Sequence, residues 1–156
     1  MINANYPVDG DWPSQTGRAV MVDRVGVSIT WAPTLVKRIR ALAENRSVDL
    51  VWASAWCPVA DKLEDLWDLP KLVRAWTHPM SPTTLRVYKW RAWQEAQASP
   101  RPVIWTDDEC AEEIDNHDRE LLGIRPATST GLTRPDMNRI EQFIDRYTPD
   151  LSKETR

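Results

Sequence analysis

Three consecutive acids, Asp107-Asp108-Glu109, stand at the end of a short apolar run, Pro102-Val103-Ile104-Trp105-Thr106. Such a run, bounded by a proline and by charge, reads as a strand buried on both faces, which suits a parallel sheet. In open parallel sheets, ligands gather beyond the carboxyl ends of the strands. Asp107 and Asp108 occupy that position. Two carboxylates held about 4 Å apart repel by roughly 4 kcal/mol at an effective dielectric of about 20. A hard divalent cation such as Mg²⁺ relieves that repulsion and prefers oxygen ligands. The competing explanation is a strand leading into an acid-rich helix N-terminus, where Asp and Glu suit the dipole. Strand side chains alternate in direction, so both acids reach one ion only if the backbone turns there.

The rest of the chain supplies elements to hold those acids. Residues 3–18 have no periodicity and read as an irregular loop, in which Asp9-Gly10-Asp11 is a solvated turn. Val20-Met21-Val22 and then Val25, Val27 and Ile29 predict a hairpin with Asp23-Arg24 at its tip and one buried face. Trp31-Ala32-Pro33-Thr34 opens a helix with Leu35, Val36, Ile39, Leu42 and Ala43 on one stripe, closed by Asn45-Arg46-Ser47. Residues 48–53 are a strand running into Ser54. Cys57-Pro58 starts a second helix, which ends near Leu69-Pro70 because proline disfavours helical geometry in the residue before it. Residues 71–84 hold a short strand and a loop. Leu85 to Ala98 form a third helix with Val87, Trp90 and Trp93 on one side, and residues 109–120 a weak acidic helix. Leu121 to Ile124 are a short strand, and Thr133 caps a last helix with Met137, Ile140, Phe143, Ile144 and Tyr147 inward. This alternation is that of an α/β protein with a mainly parallel sheet. Residues 1–148 are expected to form one domain, with a loop and hairpin insertion over 1–32 and a frayed tail over 149–156.

Bulk properties exclude more than they assign. Of the residues, 28% are charged and 42% hydrophobic, ordinary proportions for a globular chain. The net charge of −3 gives no wholesale attraction to nucleic acid or anionic membrane, so a polynucleotide partner would need a local basic groove. Lys37-Arg38 with Arg40 reads as a solvated helix face. No apolar run approaches the ~20 residues of a membrane span. Cys57 and Cys110 are too few for a disulfide framework. No secretory signal is visible. The expected location is the cytoplasm (the host's, if the chain is phage-encoded).

The motifs also carry a resemblance. The block DLVWASAW within Val48–Trp56 resembles the second motif of haloacid-dehalogenase-like (HAD-like) phosphohydrolases, a strand ending in Ser or Thr. Lys89, just ahead of the acidic strand, resembles the third-motif lysine. VIWTDDE, from Val103 to Glu109, resembles the fourth motif, the acidic pair that binds Mg²⁺. Arg125 to Thr133, ending in TGLT, looks like the C-terminal end of a small actinobacterial and phage subgroup. The resemblance implies a three-layer, Rossmann-like fold with a minimal cap or none. It also implies phosphoryl transfer, in which a strand-end Asp attacks phosphorus and a second Asp two residues later serves as acid and base. Carried over, Ser54 would donate a hydrogen bond to the phosphoryl group and Lys89 would supply positive charge. Asp107 would be the principal metal ligand, assisted by Asp108. The plainer readings are that Ser54 merely ends a strand and Lys89 is a solvated helix lysine. His78 and His117 have no partners in sequence.

One departure from that pattern matters. The family's first motif, an apolar strand ending in Asp-x-Asp-Gly, is absent, and Met1-Ile2-Asn3-Ala4 looks like what should follow it. The expectation is a chain that starts late, lacking the central strand of its sheet and the nucleophile, and therefore without phosphatase turnover. The substrate class is a phosphorylated small molecule or a polynucleotide end. A non-catalytic HAD-like module binding a phosphorylated ligand or a protein is the alternative.

Overall fold

A hairpin and one helix begin the described part of the fold. A computed structural model describes residue 12 and residues 15–45, 48–116 and 120–147. Met1 to Ala4, the Asp9-Gly10-Asp11 turn, His117 and the 149–156 tail lie outside the described residues. Strand β1 (Thr16–Val22) pairs antiparallel with β2 (Val25–Trp31), Val22 opposite Val25. At the tip Asp23 and Arg24 have φ of 49° and 66°, the left-handed geometry a two-residue hairpin loop needs to match the strand twist. The strands start earlier than alternation alone predicts, so residues 16–18 are strand and not loop. Burial is graded along the hairpin: Ile29 is buried, Val27 half-buried and Val25 exposed. The tip therefore projects past the core.

Helix α1 (Pro33–Glu44) runs as its stripe predicts, with Pro at its first turn. Its Leu35 joins a core with Leu122, Ile124, Met137 and Phe143, while its Val36 joins a second with Ile29, Leu63 and Trp67. One helix thus fastens two hydrophobic clusters. Arg38 locks it to the last helix, α4 (Arg134–Tyr147), by a two-pronged contact with Glu141 at 2.7 and 2.6 Å. Thr133 caps α4: its Oγ1 accepts from the Asp136 N–H at 3.3 Å, and Asp136 accepts from the Thr133 N–H at 2.9 Å. Trp12 is buried, its indole donating to the Leu132 carbonyl at 2.8 Å.

The remaining strands are short. β3 (Val51–Trp52) pairs parallel with β4 (Val73–Arg74), and β5 (Val103–Thr106) pairs parallel with β7 (Leu121–Ile124). β6 (Ile114–Asn116) adds antiparallel to the other edge of β7. The fold is mixed α/β with small sheets. Two expectations need correction here. The strand expected over 48–53 shrinks to two residues, because among the described residues β3 has a partner on one edge only. The acidic helix expected over 109–120 is instead a turn followed by β6, since Ile114 to Asn116 gain ladder hydrogen bonds on β7 that a polar, weakly periodic segment could not match as a helix. Gly123 permits this closeness: a Cβ there would sit 2.2 Å from the Glu112 carbonyl oxygen.

Between them run α2 (Ala60–Trp67), preceded by a 3₁₀ turn at Cys57–Val59, and α3 (Pro82–Gln97). α2 stops at Asp68 in left-handed geometry, two residues before Pro70. α3 begins three residues before Leu85, because Ser81 caps it, accepting from the Thr84 N–H at 3.2 Å, and Pro82 suits the first turn. Its inward face also differs from expectation. Lys89 and Trp93, four residues apart, are buried, while Val87 and Trp90 are exposed. Trp93 meets Trp105 of β5 with ring centroids 6.0 Å apart, which lays α3 along that strand. Among the described residues no helix is long and apolar enough to cross a membrane.

Candidate functional site

At the carboxyl end of β5 the backbone turns, and Asp107 makes the turn. Its Oδ1 accepts from the Glu109 N–H at 3.0 Å and the Cys110 N–H at 2.7 Å, a carboxylate mimicking a backbone turn. No helix follows, so the helix-dipole explanation for the acids is set aside. The other carboxylate oxygen, Oδ2, lies 2.8 Å from Lys89 Nζ. Both side chains are almost wholly buried, 8% exposed for Lys89 and 3% for Asp107. The solvated-lysine reading is therefore wrong: packing of α3 on β5 through Trp93 and Trp105 carries Lys89 inward.

Burial pulls the Lys89 ammonium downward, but the Asp107 hydrogen bond and charge, with the charges of Asp108 and Glu109, outweigh it and leave the pKa raised. Lys89 stays cationic through the neutral range. Asp108 is half-buried; its carbonyl accepts from Arg125 Nε at 3.0 Å, which brings a second cation to this turn. Burial, with Asp107 next, pushes the Cys110 thiol up, so Cys110 sits here as a neutral, buried group.

Ser54 follows β3. Its carbonyl accepts from the Cys57 N–H and from the Trp76 indole, each at 3.1 Å, and its Oγ accepts from the Trp56 N–H at 3.1 Å. A hydroxyl has one donor and two acceptor sites, so the serine is fastened through its acceptors and its O–H is left to donate elsewhere. Among the described residues no hydrogen bond or ion pair joins Ser54 to Lys89 or Asp107. The connection runs instead through aromatic rings: Trp76 packs against Tyr88 at 6.2 Å, and Tyr88 precedes Lys89 on α3. Of the four residues singled out in the sequence, Lys89, Asp107 and Asp108 share one neighbourhood and Ser54 reaches it at one remove. Trp76 and Tyr88 carry no motif, and Arg125 only opens the 125–133 stretch of the C-terminal resemblance. Tyr88 was marked only by its place beside Lys89, and Trp76 by nothing in the sequence.

As a metal site the arrangement is right in donor type and short in number. Asp107 spends three acceptor positions on Lys89 and two N–H groups, which leaves one lone pair on Oδ2 out of about four on a carboxylate. Among the described residues no group of three or more His, Cys, Asp and Glu side chains is arranged to hold a metal ion. Asp107 thus has one oxygen lone pair to offer a Mg²⁺ ion that keeps several of its waters.

Residues 8–137, which include all four of these side chains, match the protein family described as the HAD domain in Swiss Army Knife RNA repair proteins. No curated protein matches the chain, and no solved structure does.

Proposed function

The chain belongs to the HAD domains of Swiss Army Knife RNA repair proteins, and from that premise we propose that its polar site grips the phosphoryl group at an RNA end. One observation carries the reading: a buried lysine, cationic through the neutral range, held by a strand-end aspartate. Phosphoryl-transfer sites work almost entirely by positioning and by fixed charge aimed at the phosphoryl oxygens. Lys89 provides that charge, and Asp107 takes one of its three N–H donors and so sets the direction of the others. Ser54 supplies a neutral donor, and Arg125 adds positive charge beside Asp108. Asp107 and Asp108 would hold Mg²⁺, which when bound screens the charge of the phosphoryl group.

A HAD-like phosphohydrolase also needs a nucleophilic carboxylate, and the 156 residues contain no apolar strand ending in Asp-x-Asp-Gly. These residues therefore bind a phosphorylated end without transferring its phosphoryl group.

The test uses the purified chain, Mg²⁺ and short single-stranded RNAs that differ only in terminal phosphate or hydroxyl. Binding that favours the phosphorylated ends, with no phosphate released, is the expected result. Equal binding of both ends refutes the phosphoryl reading, and released phosphate refutes the absence of turnover. A non-catalytic module is the second reading, favoured by that same missing carboxylate. Restoring an Asp-x-Asp-Gly strand ahead of the chain separates the two, because only a phosphohydrolase would then release phosphate.

A further inference from the structure

A small recess beside Ser54 has no part in holding phosphate. It encloses about 80 Å³ between Ala55, Pro58, Trp76, His78 and Met80. Pockets for whole ligands usually reach about 300 Å³ or more, so this one admits a single ring-sized moiety. It adjoins Ser54 directly: Ala55 follows Ser54 in the chain, and the wall residue Trp76 is hydrogen-bonded to the Ser54 carbonyl. Tyr88 stands edge-on to both Trp76 and His78, at 6.2 and 6.3 Å with interplanar angles of 80° and 84°. Tyr88 and Trp90 flank the buried Lys89 on α3 and remain 39% and 37% exposed.

His78, the ring of the recess wall left in water, contributes little to the core. Planar π-faces are, however, what an unstacked base seeks, and proteins that take single-stranded RNA hold its bases on such rings. We infer that the recess walled by Trp76 and His78 receives the base of the terminal nucleotide whose phosphoryl group Lys89 and Ser54 hold. The inference rests on the phosphoryl reading above and adds to it a nucleobase subsite. Because stacking needs no bulk charge, the chain's net charge of −3 is no obstacle.

Calorimetry on the full chain with three probes decides the matter: uridine monophosphate, ribose phosphate and uridine. The nucleotide should bind at least about five-fold tighter than ribose phosphate, the factor one stacked base contributes. His78→Ala should erase that preference and leave ribose phosphate affinity unchanged, while His78→Phe, which keeps a planar ring, should retain it. His78 is exposed enough for both variants to fold, as circular dichroism would verify. Equal affinity for nucleotide and ribose phosphate, or a preference that survives His78→Ala, overturns the subsite. Should uridine bind as tightly as its monophosphate and still depend on His78, the subsite stands and the phosphoryl reading falls. No binding of any probe overturns both.

Discussion

Replacing Lys89 by Met keeps the length of the side chain and removes its charge, leaving Asp107 buried beside an apolar neighbour. At 2.8 Å the pair attracts by about 6 kcal/mol at an effective dielectric of about 20. Most of that offsets the desolvation of two groups only 8% and 3% exposed. Removing one partner of such a pair typically costs about 3–5 kcal/mol, because the remaining charge is uncompensated. Asp107 retains two backbone N–H donors, at 2.7 and 3.0 Å, which hold part of its charge. The expected cost of Lys89→Met is therefore about 3 kcal/mol, the low end of that range. Urea unfolding followed by tryptophan emission would show it as a midpoint lowered by roughly 1.5 M at a slope near 2 kcal/mol/M. Asp107→Asn added to Lys89→Met preserves an oxygen for the two N–H groups and removes the stranded charge. The double variant should thus recover about 2 kcal/mol relative to the sum of the single ones. A midpoint shift under about 0.3 M for Lys89→Met, or strict additivity of the two substitutions, would refute a buried and coupled pair.

Two further outcomes follow from the same geometry. The raised Lys89 pKa means the folded state holds this proton more tightly than the unfolded one, so its stabilisation is complete below the ordinary value of 10.5 and is lost as pH rises through the higher folded value. Unfolding free energy measured against pH should fall in that alkaline window, and Lys89→Met should lack that component of the fall. Gly123→Ala should cost about 1–3 kcal/mol or more, since its Cβ would meet the Glu112 carbonyl oxygen at 2.2 Å and backbone must shift to admit it. A thermal midpoint unchanged in this variant would show that β7 and the 112–116 segment are not packed as described.

Elements with strong local pattern were legible before any coordinates. The stripe of α1, the Thr133 cap of α4, the two-residue tip at Asp23-Arg24 and the apolar strand ending at Asp107 each depend on residues within a few positions of one another. Periodicity, capping and turn chemistry act at that range, so the chain states them directly. The acidic strand end was legible too, as a place where charge must be balanced.

What balances it was decided only by tertiary packing. Nothing within a turn of Lys89 says whether it faces water or Asp107; Trp93 stacking on Trp105 settles that from another element. Likewise Ile114 to Asn116 are strand because the edge of β7 was open and Gly123 let the segment approach, not because their own sequence favours extension. The grouping of Trp76, His78 and Tyr88 beside Ser54 joins the approach to α3 with a ring on the helix itself, and no spacing rule announces it. Local sequence fixes those elements whose hydrogen bonds close nearby. Which charged side chain is buried, and against what, is a contest of long-range burial that the folded chain alone resolves.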